Sequence, residues 1–154
     1  MKIITTNSLE YHQIKVVYNL WNAEYPKNLF HNKVSDFENY LENLTNQQHL
    51  LIKDENGNIK GWYFDFLRAD EKWFAMILAS EIHGKGFGTR LLNEAKKRAS
   101  ELNGWVIDKP NYLKQNGDFY KSPIPFYLKN KFHVLPEVRL ELENLSAVKI
   151  TWKK

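Results

Sequence analysis

No cysteine occurs among the 154 residues, so the chain can form no disulfide, no cysteine-ligated metal site and no thiol nucleophile. It also lacks an apolar run of membrane-spanning length, and its start, MKIITTNS, has no signal-peptide core. These absences suit a soluble, cytoplasmic protein with no membrane partner. No repeat or low-complexity linker breaks the chain, and its length suits one domain, residues 1–154, with a sizeable core. A formal charge of +4 is mild. It fits an acidic ligand and falls short of a nucleic-acid binder. The basic run Lys96-Lys97-Arg98 is short, lacks interleaved aromatics and reads as the solvent face of a helix end. Glycine is sparse, seven in all, yet three of the seven fall in Gly84–Gly88.

That cluster sits at the centre of the pattern. WFAMILA (Trp73–Ala79) is an unbroken apolar run, as in a strand buried on both faces. After the turn HGKGFG, the residues Phe87, Leu91, Leu92, Ala95, Ala99 and Leu102 recur every three or four positions, predicting a helix over Lys85–Leu102. Asn103-Gly104 reads as its stop and Gly104–Asp108 as the next strand, a right-handed parallel crossover. Glycines allow close backbone approach, and the first N–H groups of a helix lack internal partners, so Lys85–Thr89 form a candidate phosphate site with Lys85 and Arg90 at its rim. A tight turn without ligand is the alternative. No Walker A string exists, and the dinucleotide pattern fails because Gly88 comes one position early. Asp108 does lie where a ribose-binding carboxylate would sit.

The remaining pattern is α/β (α+β): a mixed central sheet with an antiparallel meander, the βαβ unit and a C-terminal hairpin. Lys2–Thr6 reads as a strand. Ser8 caps a helix to about Trp21, and Ser35 with Glu38 has capping-box spacing before Phe37, Leu41 and Leu44. Strands His49–Asp54 and Ile59–Arg68 meet at Asn56-Gly57. Trp62, Phe64 and Phe66 should face one side of the second strand and Tyr63, Asp65 and Leu67 the other. Residues 109–121 make a long loop, either a lid or a surface hairpin. Ser122-Pro123 opens a short helix to about Asn130. A strand from Phe132 and a partner over Ala147–Trp152 follow.

LASEIHGKGFGTRLL resembles motif A of the GNAT superfamily of acyl-CoA N-acyltransferases, Arg/Gln-x-x-Gly-x-Gly/Ala, filled here by His83, Gly86 and Gly88. His83 departs from the usual Arg or Gln. PFYLKNKF (Pro125–Phe132) is similar to motif B, Phe-Tyr-x-Lys-x-Gly-Phe, with Lys131 in place of glycine. The specific likeness spans residues 76–108 and 122–133, and the order of elements covers nearly the whole chain.

The resemblance implies a GNAT fold and direct acetyl transfer from acetyl-CoA to a primary amine, with no acyl-enzyme, so the absence of cysteine is no obstacle. It implies that Leu78 supplies main-chain bonds to the cofactor arm. It further implies that His83, Gly84, Lys85, Gly86, Phe87, Gly88 and Thr89 hold the pyrophosphate. The arm itself would lie in a splayed gap between the two parallel strands. Tyr127 matches the tyrosine that protonates the leaving thiolate. For the base, Asp108 is the first candidate and Asp65 the next, since Trp73–Ala79 carries no carboxylate; Glu81 reads as solvent-exposed. An asparagine common before motif B is replaced by Tyr120, and its contact is not carried over. Trp21, Tyr25 and Phe30 are candidates for the acceptor wall, with ordinary core packing as the alternative. No metal is expected. The implied partner is an amine, whether small molecule, peptide or protein, bound by a monomer or homodimer. Two further readings stand: a CoA-binding domain without turnover, suggested by His83, Lys131 and the missing base, and a dinucleotide-binding domain, resting on Asp108 and the glycines.

Overall fold

The computed structural model describes all 154 residues. Strands β1 (Lys2–Thr6), β2 (Thr45–Lys53), β3 (Ile59–Arg68) and β4 (Glu71–Leu78) pair antiparallel in succession. β5 (Glu101–Val106) joins β4 in parallel, and the hairpin of β6 (His133–Leu142) and β7 (Leu145–Lys153) docks through β7. The order across the seven-stranded sheet is β1-β2-β3-β4-β5-β7-β6. The helices are α1 (Tyr11–Glu24), α2 (Val34–Glu42), α3 (Phe87–Lys96) and α4 (Ile124–Lys129). None is long and apolar enough to cross a membrane.

Side chains on a strand alternate between faces, and β3 divides the core in two on that principle. Trp62, Phe64 and Phe66 pack with Val17, Trp21 and Phe37 of α1 and α2. Tyr63 packs with Leu91, Leu92 and Tyr127 of α3 and α4. Each face thus presents its own apolar layer to its own pair of helices, as the alternation in the sequence predicts.

Element ends differ from expectation where tertiary contacts decide them. Ser8 does not cap α1; Glu10 does, and its N–H donates to Gln13 Oε1 at 2.9 Å in a reciprocal capping box. No side chain caps α2, so Ser35 and Glu38 form no box. Helix α3 ends at Lys96 instead of Leu102, and Asn103-Gly104 lies inside β5 instead of stopping a helix. Ala99 and Leu102 do enter the same core as Leu91 and Leu92, but from a turn and a strand. Asn103 is buried and donates to the Lys72 carbonyl at 3.1 Å, tying β5 to β4. Gly104 serves close packing: a Cβ there would stand 3.1 Å from the Phe74 ring. Lys96 also leaves the solvent face, donating to the Asn130 carbonyl at 2.6 Å and lying over the rings of Phe132 and Trp152.

One buried titratable group links this core to pH. His49 is fully buried, and its Nδ1 accepts from Trp62 Nε1–H at 3.0 Å, so Nε2 carries the hydrogen opposite Gln47 Oε1 at 3.0 Å. Burial pushes its pKa from 6.5 down to about 4. The unfolded chain therefore binds a proton at His49 below pH 6.5 that the folded chain refuses until about pH 4. Folding stability should fall across that window, by up to about 3 kcal/mol, and be flat above it. Urea denaturation between pH 7 and 5 tests this, and the slope should shrink strongly in His49→Gln.

Candidate active site

β4 and β5 run parallel but share a single register pair, Trp73↔Asn103, and diverge beyond it. The divergence opens a cleft of about 1220 Å³. On β4 the Ala79 N–H turns toward β3 and bonds the Lys60 carbonyl at 2.8 Å. Backbone groups alternate in direction along an antiparallel pair, so those of Met76 and Leu78 turn the other way, into the gap. The Leu78 carbonyl already accepts from the ring of His83 at 2.8 Å, which makes Nε2 the protonated nitrogen.

The glycine turn follows a single 3₁₀ turn, Ser80–Ile82. Gly84 and Gly86 lie at φ 71° and 85°, a left-handed backbone that side chains resist, with open space where a Cβ would stand. Gly88 is needed for another reason: a Cβ there would come 2.8 Å from the Phe126 ring. The first helical bond is Arg90 N–H to the Gly86 carbonyl at 3.1 Å, and no backbone N–H from Gly84 to Thr89 has an acceptor in the chain. A row of free N–H groups at a helix N-terminus is an anion site. His83, Gly84, Gly86, Phe87, Gly88 and Thr89 line the cleft, and Lys85 does not. Arg90 also leaves the rim, lying over Phe87 and reaching the Met1 carbonyl at 3.4 Å. The site therefore rests on backbone amides, and neither of the expected rim cations faces it.

Tyr127 enters the same cleft from α4, whose start Ser122 supports by accepting the Ile124 N–H at 3.3 Å. Its ring packs among Phe74, Phe126 and Phe132. Its hydroxyl makes no hydrogen bond in the protein and is not sealed from the cleft, while burial pushes its pKa well above 10. Lys131, in the place of the motif glycine, takes φ 70° as the helix ends, with the Phe132 N–H closing onto the Tyr127 carbonyl at 3.0 Å.

The opposite wall brings together Trp21, Tyr25, Phe30, His31, Tyr40 and, from the end of β3, Arg68. Trp21 is thus both core and wall. Asn22 holds His31 by its backbone, donating to its carbonyl and accepting its N–H, each at 3.0 Å. The His31 ring has no hydrogen bond, and burial lowers its pKa despite the charge of Asp36. Loop 109–121 forms a third wall, secured by the Lys27 N–H on the Leu113 carbonyl at 2.9 Å and the Ser146 N–H on the Tyr112 hydroxyl at 2.8 Å. Lys114 of this loop pairs with Glu24 at 3.0 Å, and Glu24 also accepts from Ser80 N–H at 3.0 Å and Ser80 Oγ–H at 2.8 Å. Burial by itself would raise the Glu24 pKa, but the bonds from Ser80 and Lys114 outweigh it and hold the carboxyl low.

The three carboxylates weighed as bases are elsewhere. Asp108 lies past the end of β5 and outside the cleft, gripped by both Arg139 guanidinium nitrogens at 2.9 and 3.0 Å. Those bonds hold its carboxyl below the usual range, which weakens it as a proton acceptor. Asp65 is buried outside the cleft lining and accepts the Tyr63 hydroxyl at 2.7 Å. Glu81 pairs with Lys60 at 2.6 Å in solvent. Sequence reasoning missed His31, Glu24, Arg68 and Lys114. For Arg68 a signal existed, because it stands two residues past Phe66 on the same strand face. The other three lie at a helix end or in loops, where no periodicity marks them.

Residues 14–121, well over half of the chain, match the model of the family described as Acetyltransferase (GNAT) family. No curated protein matches. Solved structures with the same fold include an aminoglycoside 6'-N-acetyltransferase complexed with coenzyme A, with a TM-score of 0.72 and 13% identity over 99% of this chain and 97% of that one. A phosphinothricin acetyltransferase from Sinorhizobium meliloti in complex with AcCoA has a TM-score of 0.67 and 11% identity over 99% and 89%. A spermidine N-acetyltransferase chimera from Vibrio cholerae has a TM-score of 0.64 and 16% identity over 99% and 96%.

The left-handed backbone of the turn gives a direct test. Gly86→Val should lose about 1–2 kcal/mol of stability, the cost of a side chain in that conformation, whereas Gly86→Asn should lose less. Urea midpoints of the two variants check it; equal midpoints would contradict the φ of this residue.

Proposed function

Because the chain belongs to the GNAT family of acetyltransferases, we propose that it transfers the acetyl group of acetyl-CoA directly to a primary amine. The observation that carries this is the sharing of one cleft by the free N–H row of Gly84–Thr89 and the unpartnered hydroxyl of Tyr127. The N–H row would hold the pyrophosphate. Met76 and Leu78 would pair with the pantetheine amides as a neighbouring strand does, His83 giving up the Leu78 carbonyl. The aromatic wall from α1, α2 and β3 would seat the acceptor.

The chemistry is an attack by the amine nitrogen on the thioester carbonyl, with the C–S bond breaking and two protons to place. Tyr127 is protonated at neutral pH and has a hydroxyl to spare, so it would give its proton to the departing thiolate. His31 would take the proton leaving the amine. It lines the acceptor wall, is neutral at pH 7 and stands outside any ion pair, unlike Glu24. CoA binding without turnover is the second reading, favoured by one observation, the engagement of the cleft carboxylate Glu24 by Lys114 and Ser80.

Tyr127→Phe should lower turnover by roughly 10²–10⁴ while changing acetyl-CoA affinity by no more than one hydrogen bond, about 0.5–1.5 kcal/mol. Thiol release and calorimetry check the two quantities, and the absence of cysteine keeps the thiol background low. Full activity in the variant would remove the acid role, and a wild type that binds acetyl-CoA but acetylates no amine would favour the second reading. A base must be unprotonated, and the pKa of His31 lies below 6.5. At saturating amine, kcat should therefore fall on acidification below 6.5. His31→Gln should lower kcat and lose that limb of the profile.

A further inference from the structure

The charges along the cleft are unequal. Two carboxylates line it, Glu24 and Asp118. Glu24 is neutralised by Lys114. Asp118 lies in loop 109–121, accepting from the Asn116 side chain at 3.1 Å. Neither belongs to the aromatic wall where β3 ends and β4 begins. The charge there is Arg68, which makes no hydrogen bond and no ion pair. Its cross-strand partner Glu71 turns away to Lys149 at 3.5 Å. The guanidinium lies over the rings of Phe66, 5.1 Å from the centroid, and Trp73, 6.0 Å away. It is also close enough to Tyr40 for its charge to oppose the rise that burial gives that phenol. An unpaired guanidinium lying over aromatic rings presents its free N–H fork to a planar anion, and the rings beneath it present apolar area.

Resting on the acetyl-transfer reading above, we infer that the acceptor is a primary amine with an aromatic body and a carboxylate, and that Arg68 binds the carboxylate. A polycation finds no unpaired carboxylate on this wall and meets an unpaired positive charge, so polyamines should be poor acceptors. Arg68 is then a specificity residue, acting on the acceptor and not on the reacting atoms.

The test uses matched pairs that differ only in the carboxylate: phenylalanine and 2-phenylethylamine, tyrosine and tyramine, tryptophan and tryptamine, with spermidine as the polycation. In the wild type, kcat/KM should favour the acid of at least one pair by about 10–100-fold, as for a charge-assisted hydrogen bond, with spermidine below it. In Arg68→Gln the preference should fall to near one, chiefly through acceptor KM, while acetyl-CoA affinity by calorimetry stays at the wild-type value. Arg68→Lys, which keeps the charge but loses the fork, should be intermediate. Preference for spermidine or for the decarboxylated amines would overturn the inference, as would an unchanged preference in Arg68→Gln. Those results leave acetyl transfer standing, whereas failure of the wild type to bind acetyl-CoA would strike the reading beneath it.

Discussion

The divergence of β4 from β5 is the constraint on which the rest of the molecule depends. Parallel strands ordinarily satisfy each other's backbone along their length, and a buried unpaired N–H or C=O is costly. Here pairing stops after Trp73↔Asn103. Large aromatic groups occupy both sides of the sheet at that point. Trp73 stacks on Trp105 at 5.1 Å on one face, and Phe74 fills the place of a Gly104 side chain on the other. Downstream, the backbone edges of Met76 and Leu78 border the cleft, which is where an extended amide ligand would gain most.

Around that gap, the structure accepts local strain where the backbone must turn. Gly84 and Gly86 take the left-handed conformation cheaply, and Lys131 takes it at a cost a glycine would avoid. The benefit at Lys131 is positional: the closing bond from Phe132 to the Tyr127 carbonyl ends α4 one turn after the tyrosine. Charged groups act in the same structural way. Glu24 fastens the end of α1 to the turn before the glycine loop and to loop 109–121, and Arg139 fastens Asp108 to the C-terminal hairpin. Such pairs are poor proton acceptors because their hydrogen bonds favour the charged form. On the proposed reading, the proton chemistry falls to neutral groups, Tyr127 and His31.

Part of this is visible in the sequence because it depends on period or local conformation. Alternation in Ile59–Arg68 foretells the two-layer core, Asn56-Gly57 the hairpin, the clustered glycines the tight turn before α3, and Ser122-Pro123 the helix that carries the phenol. The apolar run at Trp73 marks β4. Each of these is governed by neighbours within a few residues, so the information lies within a short window of chain.

What only the tertiary structure decides is where two distant segments compete for the same residues or meet. Leu102 continues a helical period but becomes strand, because pairing with β7 and the Asn103 bond to Lys72 outweigh another turn of helix. The pairing of Asp108 with Arg139, 31 residues away, has no signal in the local sequence. His31, Glu24, Lys114 and Arg68 come from a loop, a helix end, a second loop and a strand end, and no local pattern joins them. Their shared wall exists because the two sheet faces and two loops converge there. The sequence by itself determined most of the elements and the glycine turn, which arise from local sterics and periodicity; the folded structure alone decided which charges are neutralised and which remain free, because that depends on distances between segments far apart in the chain.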